Sequence, residues 1–281
     1  MIPFEVESGV VSQWTQVAQL IGEDKVNVEG AAIAYGARLI AIPKPDGSPR
    51  PIAIGCLLRR TAAAILSTRH KHKVQQAVGA KQFGINVPSG VEVFVHGFKA
   101  AVQWASKDKN RVAVKVDFKN AFNIIRRKKL LELVGSRIPS LFKYVHGCYG
   151  KHSSLFLPTG KTIPSCTGIQ QGDPLSGALF AMVLADALEN SLHNHACYWA
   201  AYHDDLTMAG TIDSVSSALV SIRNMCESHG LVVNLSKSER LSLTPPTDSN
   251  RGIRHCSSFT TTLASIAIGT PTDVDAVMEQ K

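Results

Sequence analysis

The stretch that most constrains the fold is Ala201-Tyr202-His203-Asp204-Asp205-Leu206. Two adjacent carboxylates sit between an apolar, aromatic run from Cys197 to Tyr202 and a second short run carrying Leu206, Met208 and Ala209. Polar turn residues between strand-like segments predict a β-hairpin with the acids at its tip. Aspartate is a poor strand residue, so two in succession need a reason. Side chains alternate faces along a strand, and Asp204 and Asp205 reach one point only if the turn re-aims one of them. Asp204 is the one expected to offer its carboxylate to a divalent metal. A solvated turn, where Asp is common, accounts for the pair taken alone. The rest of the chain decides against that reading.

With 281 residues the chain has room for one large or two modest domains and a real core. Its formal charge of +8 is unevenly spread. Lys44, Arg50, Arg59, Arg60, Arg69, Lys71 and Lys73 face a single acid, Asp46, over that interval. Such a block favours a polyanionic partner. The six cysteines (Cys56, Cys148, Cys166, Cys197, Cys226 and Cys256) form no C-x-x-C pair, which suits reduced thiols in an intracellular protein. The start, Met1-Ile2-Pro3-Phe4-Glu5, lacks the pattern of a signal peptide, and no apolar run predicts a membrane span.

Residues 1–37 carry no recognisable chemistry. From Arg38 to Gly55, two β-rich runs joined by Asp46-Gly47 with flanking prolines predict a hairpin. Lys44 and Arg50 lie at its shoulders, either gripping a triphosphate or simply exposed. A helix is expected from Arg59 to Leu66, with Leu57, Leu58, Ala62 and Ile65 as its apolar face. His70 to Pro88 reads as a basic loop facing nucleic acid, with His70 and His72 solvated. Ser89 to Ala105 suits an amphipathic helix. In Arg111 to Phe118, Val112, Val114 and Val116 share one face of a strand, leaving Asp117 at its end on the other, open face. Phe122 follows at the turn into a basic helix, Ile124 to Val134, whose Arg126-Arg127-Lys128-Lys129 run reads as a solvated face.

Phe142 to Ile163 looks like strands and turns. Then Gly168 to Ser176 leads into an apolar helix ending near Leu192. Asp173 suits an N-cap, Pro174 the first helical position, and Gly172 a close approach of backbone to ligand. His193-Asn194-His195 is too short a match to carry weight. A helix is expected from Asp213 to a stop at Gly230, then a strand, Leu231 to Leu235, with Lys237 in the next turn. Beyond Leu243, Pro245-Pro246 and a Ser/Thr-rich tail read as a linker.

Separated carboxylates at Asp117, Asp204 and Asp205, together with phosphate-gripping cations, are what two-metal phosphoryl transfer needs. In this order the motifs resemble the reverse transcriptase domain of non-LTR retrotransposons over roughly residues 38–243. They are Lys44-Pro45-Asp46-Gly47 with Arg50-Pro51-Ile52, Val116-Asp117-Phe118-Lys119-Asn120-Ala121-Phe122, Gln171-Gly172-Asp173-Pro174-Leu175-Ser176, Tyr202-His203-Asp204-Asp205, and Gly230-Leu231-Val232-Val233-Asn234-Leu235-Ser236-Lys237.

The resemblance implies an α+β, right-hand polymerase of fingers and palm, its antiparallel palm sheet backed by helices, the thumb absent or incomplete. It divides the chain into a lead-in (1–37), fingers (38–105), a palm (106–245, with fingers elements interleaved around 140–170) and a linker or truncated thumb start (246–281). It implies two Mg²⁺ ions, replaceable by Mn²⁺, on Asp117, Asp204 and Asp205, with Lys237 near the leaving pyrophosphate as a proton donor. Lys44, Arg50, Phe118, Phe122, Gln171 and Gly172 would contact the nucleotide, Phe122 as the ring that crowds a ribose 2′-hydroxyl. The partners implied are an RNA template, a DNA primer, dNTPs and other domains of a longer retroelement protein. Two departures stand out: His203 replaces the usual Ala, Val or Leu before the two aspartates, and Asn123 stands where many relatives carry Asp. Two other readings are a template-dependent RNA polymerase and a degenerate domain that binds nucleic acid without polymerising. His203, beside two carboxylates, is expected to be partly protonated near neutral pH.

Overall fold

The computed structural model describes residues 8–43, 47, 49–241 and 254–256. Lys44 lies outside them, as does nearly all of the chain beyond 241. In chain order the elements begin with α1 (Ser8–Gly22), α2 (Val28–Ala34), β1 (Ala37–Pro43), β2 (Pro49–Gly55), α3 (Leu57–Arg69), α4 (Lys71–Val78), α5 (Gly90–Ala105) and β3 (Arg111–Val116). After these come α6 (Ala121–Ile124), α7 (Arg127–Arg137), α8 (Phe142–Tyr149), β4 (Ser153–Phe156), β5 (Thr162–Ser165) and α9 (Ser176–Leu192). The last are β6 (Tyr198–Tyr202), β7 (Asp205–Thr211), α10 (Ile212–His229), β8 (Glu239–Leu241) and β9 (Arg254–Cys256). No described helix is long and apolar enough to cross a membrane.

The chain divides into two units, Met1–Lys73 with Phe122–Leu179, and Val74–Ala121 with Phe180–Lys281. The first holds a four-stranded sheet in the order β2-β1-β4-β5. The predicted hairpin is its β1–β2 pair, in register from Ala37 opposite Gly55 to Pro43 opposite Pro49. Its lead-in is helical: α1 packs on α3, and together with Ser140 and Lys143 they line an apolar groove of about 980 Å³.

Two cations, Arg59 from the basic block expected to meet a polyanion and Arg127 from the run expected to be solvated, are buried here. Arg59 is fully buried on the inner face of α3 beside Ala62 and Ala63, while Leu57 and Ile65 are exposed. The apolar face read from the spacing is therefore rotated, because an internal carboxylate, Asp173, draws the guanidinium inward (Nε–Oδ2 3.1 Å). Arg127 is buried too, donating to the carbonyls of Gly168 (2.9 Å) and Thr167 (3.2 Å) and to the Ser165 hydroxyl (2.7 Å). It braces a turn instead of joining a solvated face.

Two further segments differ from expectation. Phe142–Tyr149 is a helix, its Tyr144, Val145, Cys148 and Tyr149 buried at helical spacing, with Gly147 and Gly150 having suggested turns. The basic stretch after His70 is mostly α4, with Val74, Ala77 and Val78 buried, and His70 is itself buried, its Nδ1 2.9 Å from the Leu66 carbonyl oxygen.

The second unit is organised on a five-stranded sheet in the order β6-β7-β3-β8-β9. It is antiparallel except between β8 and β9, and so mixed where an antiparallel sheet was expected. Helix α5 covers the end of the sheet carrying Ala113 and Ala209, through Phe98, Val102 and Ala105. The face expected to be open is thus closed at that end; Lys115 and Asp117, farther along, are only half-buried. Thr211 caps α10 by accepting from the Ser214 N–H (3.3 Å), and the helix stops at Gly230. Residues 231–235 form no strand; Val233 makes an isolated bridge with Phe118.

Candidate active site

Tyr202 pairs with Asp205, which leaves His203 and Asp204 as a two-residue loop between β6 and β7. Loops this short follow the twist of the strands only with positive φ at a central residue, and His203 supplies it at +52°. Asp204 sits at the exposed tip, whereas Asp205 is the first residue of β7 and half-buried. Val116 pairs with Leu206, so Asp117, one residue on, falls opposite Asp205, one residue back. Residues directly opposite in an antiparallel pair share a face. Asp205 is therefore the cross-strand neighbour of Asp117, and the turn presents Asp204 beside them.

Asp117 is fixed from the segment after α10. Its N–H donates to the Ser238 hydroxyl (3.1 Å), its carbonyl accepts from the Asn234 N–H (2.8 Å), and the Asn234 side-chain amide donates to Oδ2 of its carboxylate (2.7 Å). Ser238 and Ser236 in turn bond Asn234, through its carbonyl (2.8 Å) and its Oδ1 (2.9 Å). Burial raises the Asp117 carboxyl above its ordinary value and Asp204 adds to this; the Asn234 bond and the charges of Lys237 and Lys115 oppose it. Burial, then Asp204 and Asp117, push the Asp205 carboxyl up to about 6, against Lys115. Burial pushes the His203 imidazole below its ordinary value with Asp204 pulling back, so the ring leans neutral instead of being protonated by its neighbours. Lys237 is exposed.

Phe118 is buried at 6% exposure and makes an isolated bridge with Val233 just beyond the end of β3. The other residues expected at the nucleotide belong to the first unit. Arg50 is exposed on β2 opposite Ile42, and Phe122 and Gln171 are half-buried. Gly172 does permit a close approach, but to the protein itself. Its N–H donates to the Ala53 carbonyl (3.1 Å), and a Cβ there would lie 2.6 Å from that oxygen. Asp173 does not cap a helix at Pro174, since α9 starts at Ser176. Its carboxylate accepts from Arg59, from the Tyr144 hydroxyl (2.9 Å) and from the Leu175 N–H (2.9 Å).

The sequence matches the family described as reverse transcriptase (RNA-dependent DNA polymerase) over residues 42–261. The chain belongs to the reverse transcriptase family. Among curated relatives, the retrotransposable element SLACS 132 kDa protein of Trypanosoma brucei gambiense is 24% identical over 266 residues, covering 92% of this chain and 22% of that protein. The Pol polyprotein of the type-1 retrotransposable element R2 from Bradysia coprophila is 26% identical over 229 residues, 75% of this chain and 26% of that one. The chain thus spans about a quarter of the length of these relatives, and its reverse transcriptase domain is of the non-LTR retrotransposon kind. Apo telomerase from Candida tropicalis shares the fold, with a TM-score of 0.59 at 12% identity over 83% of this chain and 50% of that one.

In this chain no three His, Cys, Asp or Glu side chains among the described residues close on an ion by themselves. The donors nevertheless fit magnesium. They are carboxylate oxygens whose mutual repulsion a cation would relieve, and Mg²⁺ is usually held by one or two carboxylates, with waters and substrate phosphates completing its shell. Sequence reasoning missed Asn234 and Ser238, which hold Asp117, and Gln82, which holds the hairpin loop. For Asn234 a signal was present: an Asn-x-Ser-x-Ser run after a helix stop is a side-chain-to-backbone turn, not a strand.

Proposed function

We propose that this chain is an RNA-directed DNA polymerase domain that extends a primer 3′-hydroxyl with dNTPs on an RNA template. The observation that carries the reading is the register that sets Asp117 across from Asp205 with Asp204 in the adjoining loop, inside a chain of this family. Asp117, Asp204 and Asp205 would hold two divalent ions. Bound there, the ions would activate the 3′-hydroxyl and neutralise charge on the triphosphate and the leaving pyrophosphate. Asn234 keeps one oxygen of Asp117 turned to its amide, which orients the carboxylate. Lys237 would donate a proton to the leaving group.

The unit built on the five-stranded sheet is read as the palm and the other as the fingers, a division that moves residues 74–105 to the palm and 122–179 to the fingers relative to the bounds the resemblance implies. In the fingers Arg50 would contact nucleotide phosphate, Gln171 and Gly172 would line the nucleotide and template pocket, and Phe122 would exclude a ribose 2′-hydroxyl. Lys44 would join Arg50. Template and primer, and the remaining domains of a longer retroelement protein, are the partners this reading requires.

Purified protein with Mg²⁺, a primed RNA template and dNTPs should extend the primer. Asp204→Ala should lower extension by more than about 10³-fold, as expected where electrostatic stabilisation of a transition state is removed. Equal extension by the wild type and Asp204→Ala would end the catalytic reading. Phe122→Ala should admit ribonucleotides; an unchanged preference for dNTPs would remove the ring's role and reopen the RNA polymerase reading.

A further inference from the structure

The carboxylate loop is held from outside the hairpin. Residues Lys81 to Phe83 run along the free edge of β6, where the Ala201 N–H donates to the Lys81 carbonyl (2.8 Å) and the Ala201 carbonyl accepts from the Phe83 N–H (2.8 Å). This places the side chain of Gln82, 2% exposed, against His203. Its Oε1 accepts from the N–H of His203 (2.8 Å) and from that of Gly84 (3.0 Å), and its Nε2 donates to the His203 carbonyl (3.0 Å). One primary amide therefore grips both backbone polar groups of the loop residue with positive φ. A histidine persists in that conformation only where its surroundings over-determine it. Gly84 completes the seat: a Cβ on it would lie 2.7 Å from the His203 nitrogen and 2.9 Å from Cδ2 of the ring.

We propose that Gln82, seated with Gly84, is a positioning residue for the reaction. It holds His203 left-handed and thereby sets the direction in which the next residue, Asp204, presents its carboxylate. The proposal rests on the polymerase reading for its consequence but not for its geometry. Asp204 is tethered to the lock by one peptide bond, and a shift of about 1 Å at a reacting centre costs on the order of 10²-fold in rate. An ordinary packing role for Gln82 predicts lost stability only. The positioning role predicts a change in metal affinity and turnover in protein that remains folded.

The test uses the full chain with Gln82→Ala, Gly84→Ala and the double variant Gln82→Ala/His203→Gly. Three readouts are taken: Mn²⁺ affinity by calorimetry without substrate, exchange of the ¹⁵N-labelled His203 amide, and steady-state extension well below the melting temperature. For Gln82→Ala the expected result is faster His203 exchange, Mn²⁺ binding weaker by about tenfold, and kcat lower by about 10- to 100-fold. KM for dNTP should stay within about twofold. Gly84→Ala, which keeps the Gln82 side chain but crowds the His203 nitrogen, should give the same pattern. Because glycine holds positive φ without strain, His203→Gly should restore part of the Mn²⁺ affinity lost in Gln82→Ala. Unchanged Mn²⁺ affinity and kcat in Gln82→Ala, or a loss that His203→Gly does not relieve, overturns the proposal. A wild-type chain that extends no primer defeats the polymerase reading alone, and the exchange and Mn²⁺ measurements still decide the role of Gln82.

Discussion

Asp173 in the first unit and the pair Asp117 and Asp205 in the second answer the cost of burying acid in opposite ways. The Asp173 carboxylate has a buried guanidinium at 3.1 Å, a tyrosine hydroxyl and a backbone N–H, all from its own unit. Among the described residues, the Asp204 and Asp205 carboxylates have no ion pair or hydrogen bond of that kind, and Asp117 has one amide. Burial and mutual repulsion are left to raise Asp205 to about 6. An acid answered from within the chain fixes architecture. Acids answered only in part from within are set to receive a cation from outside, which is why perturbed carboxylates gather at working sites.

The largest expected effect tests the Asp173 half of this contrast. Asp173→Ala leaves Arg59 buried without its carboxylate, and breaking a buried pair from one side costs about 3–5 kcal/mol. The melting temperature should fall by roughly 10 °C. Replacing both partners, as in Arg59→Met with Asp173→Leu, should recover much of the loss, since apolar substitutes of similar volume are often tolerated. Melting of Asp173→Ala close to the wild type would erase the distinction between the two places. Next comes Asn234→Ala, which removes the amide bonded to the Asp117 carboxylate and should cost about 1.5–3 kcal/mol, the usual worth of a bond to a charged group. Urea denaturation without metal gives the number. A loss below about 0.5 kcal/mol would mean that Asp117 is oriented by its strand alone.

The contrast also marks what is legible in the amino-acid sequence. The hairpin of 38–55, the helices over 89–105 and 213–229, the strand that runs up to Asp117 and the two-strand carrier of Asp204 all follow local periodicity, and local periodicity is legible. The buried charges were not. Nothing in the run Leu57-Leu58-Arg59-Arg60 says which arginine will meet an aspartate 114 residues away, and the same blindness placed Arg127 on a solvated face. A glycine at 172 predicts a close backbone approach, but not that the Ala53 carbonyl makes one there, a long-range contact no spacing reports. At the candidate site the acids were legible because their chemistry is unusual for their setting. Asn234 and Gln82 are ordinary residues whose importance lies only in what they touch.

The smallest effect is the sharpest discriminator. The Asp205 carboxyl is raised in the folded protein from an ordinary 3.8 to about 6, so between those values the folded state keeps a proton that the unfolded chain has lost. The wild type without divalent metal therefore loses stability as pH rises from about 4 to about 6, and the deficit persists above that window. A shift of about two units corresponds to about 3 kcal/mol at most, and partial exposure of the group reduces this to roughly 1–2 kcal/mol. Asp205→Asn removes the charge and keeps the shape. At pH 7 without metal it should be more stable than the wild type by that amount, with the advantage shrinking as pH falls from 6 to 4. Mg²⁺ should narrow the gap from the other side, because an ion bound by the folded wild type stabilises it while the variant has lost a ligand. Denaturation curves at pH 4, 5, 6 and 7, with and without Mg²⁺, read all three trends. An Asp205→Asn chain less stable than the wild type at pH 7 would mean that the hairpin acids are answered from within after all, as Asp173 is.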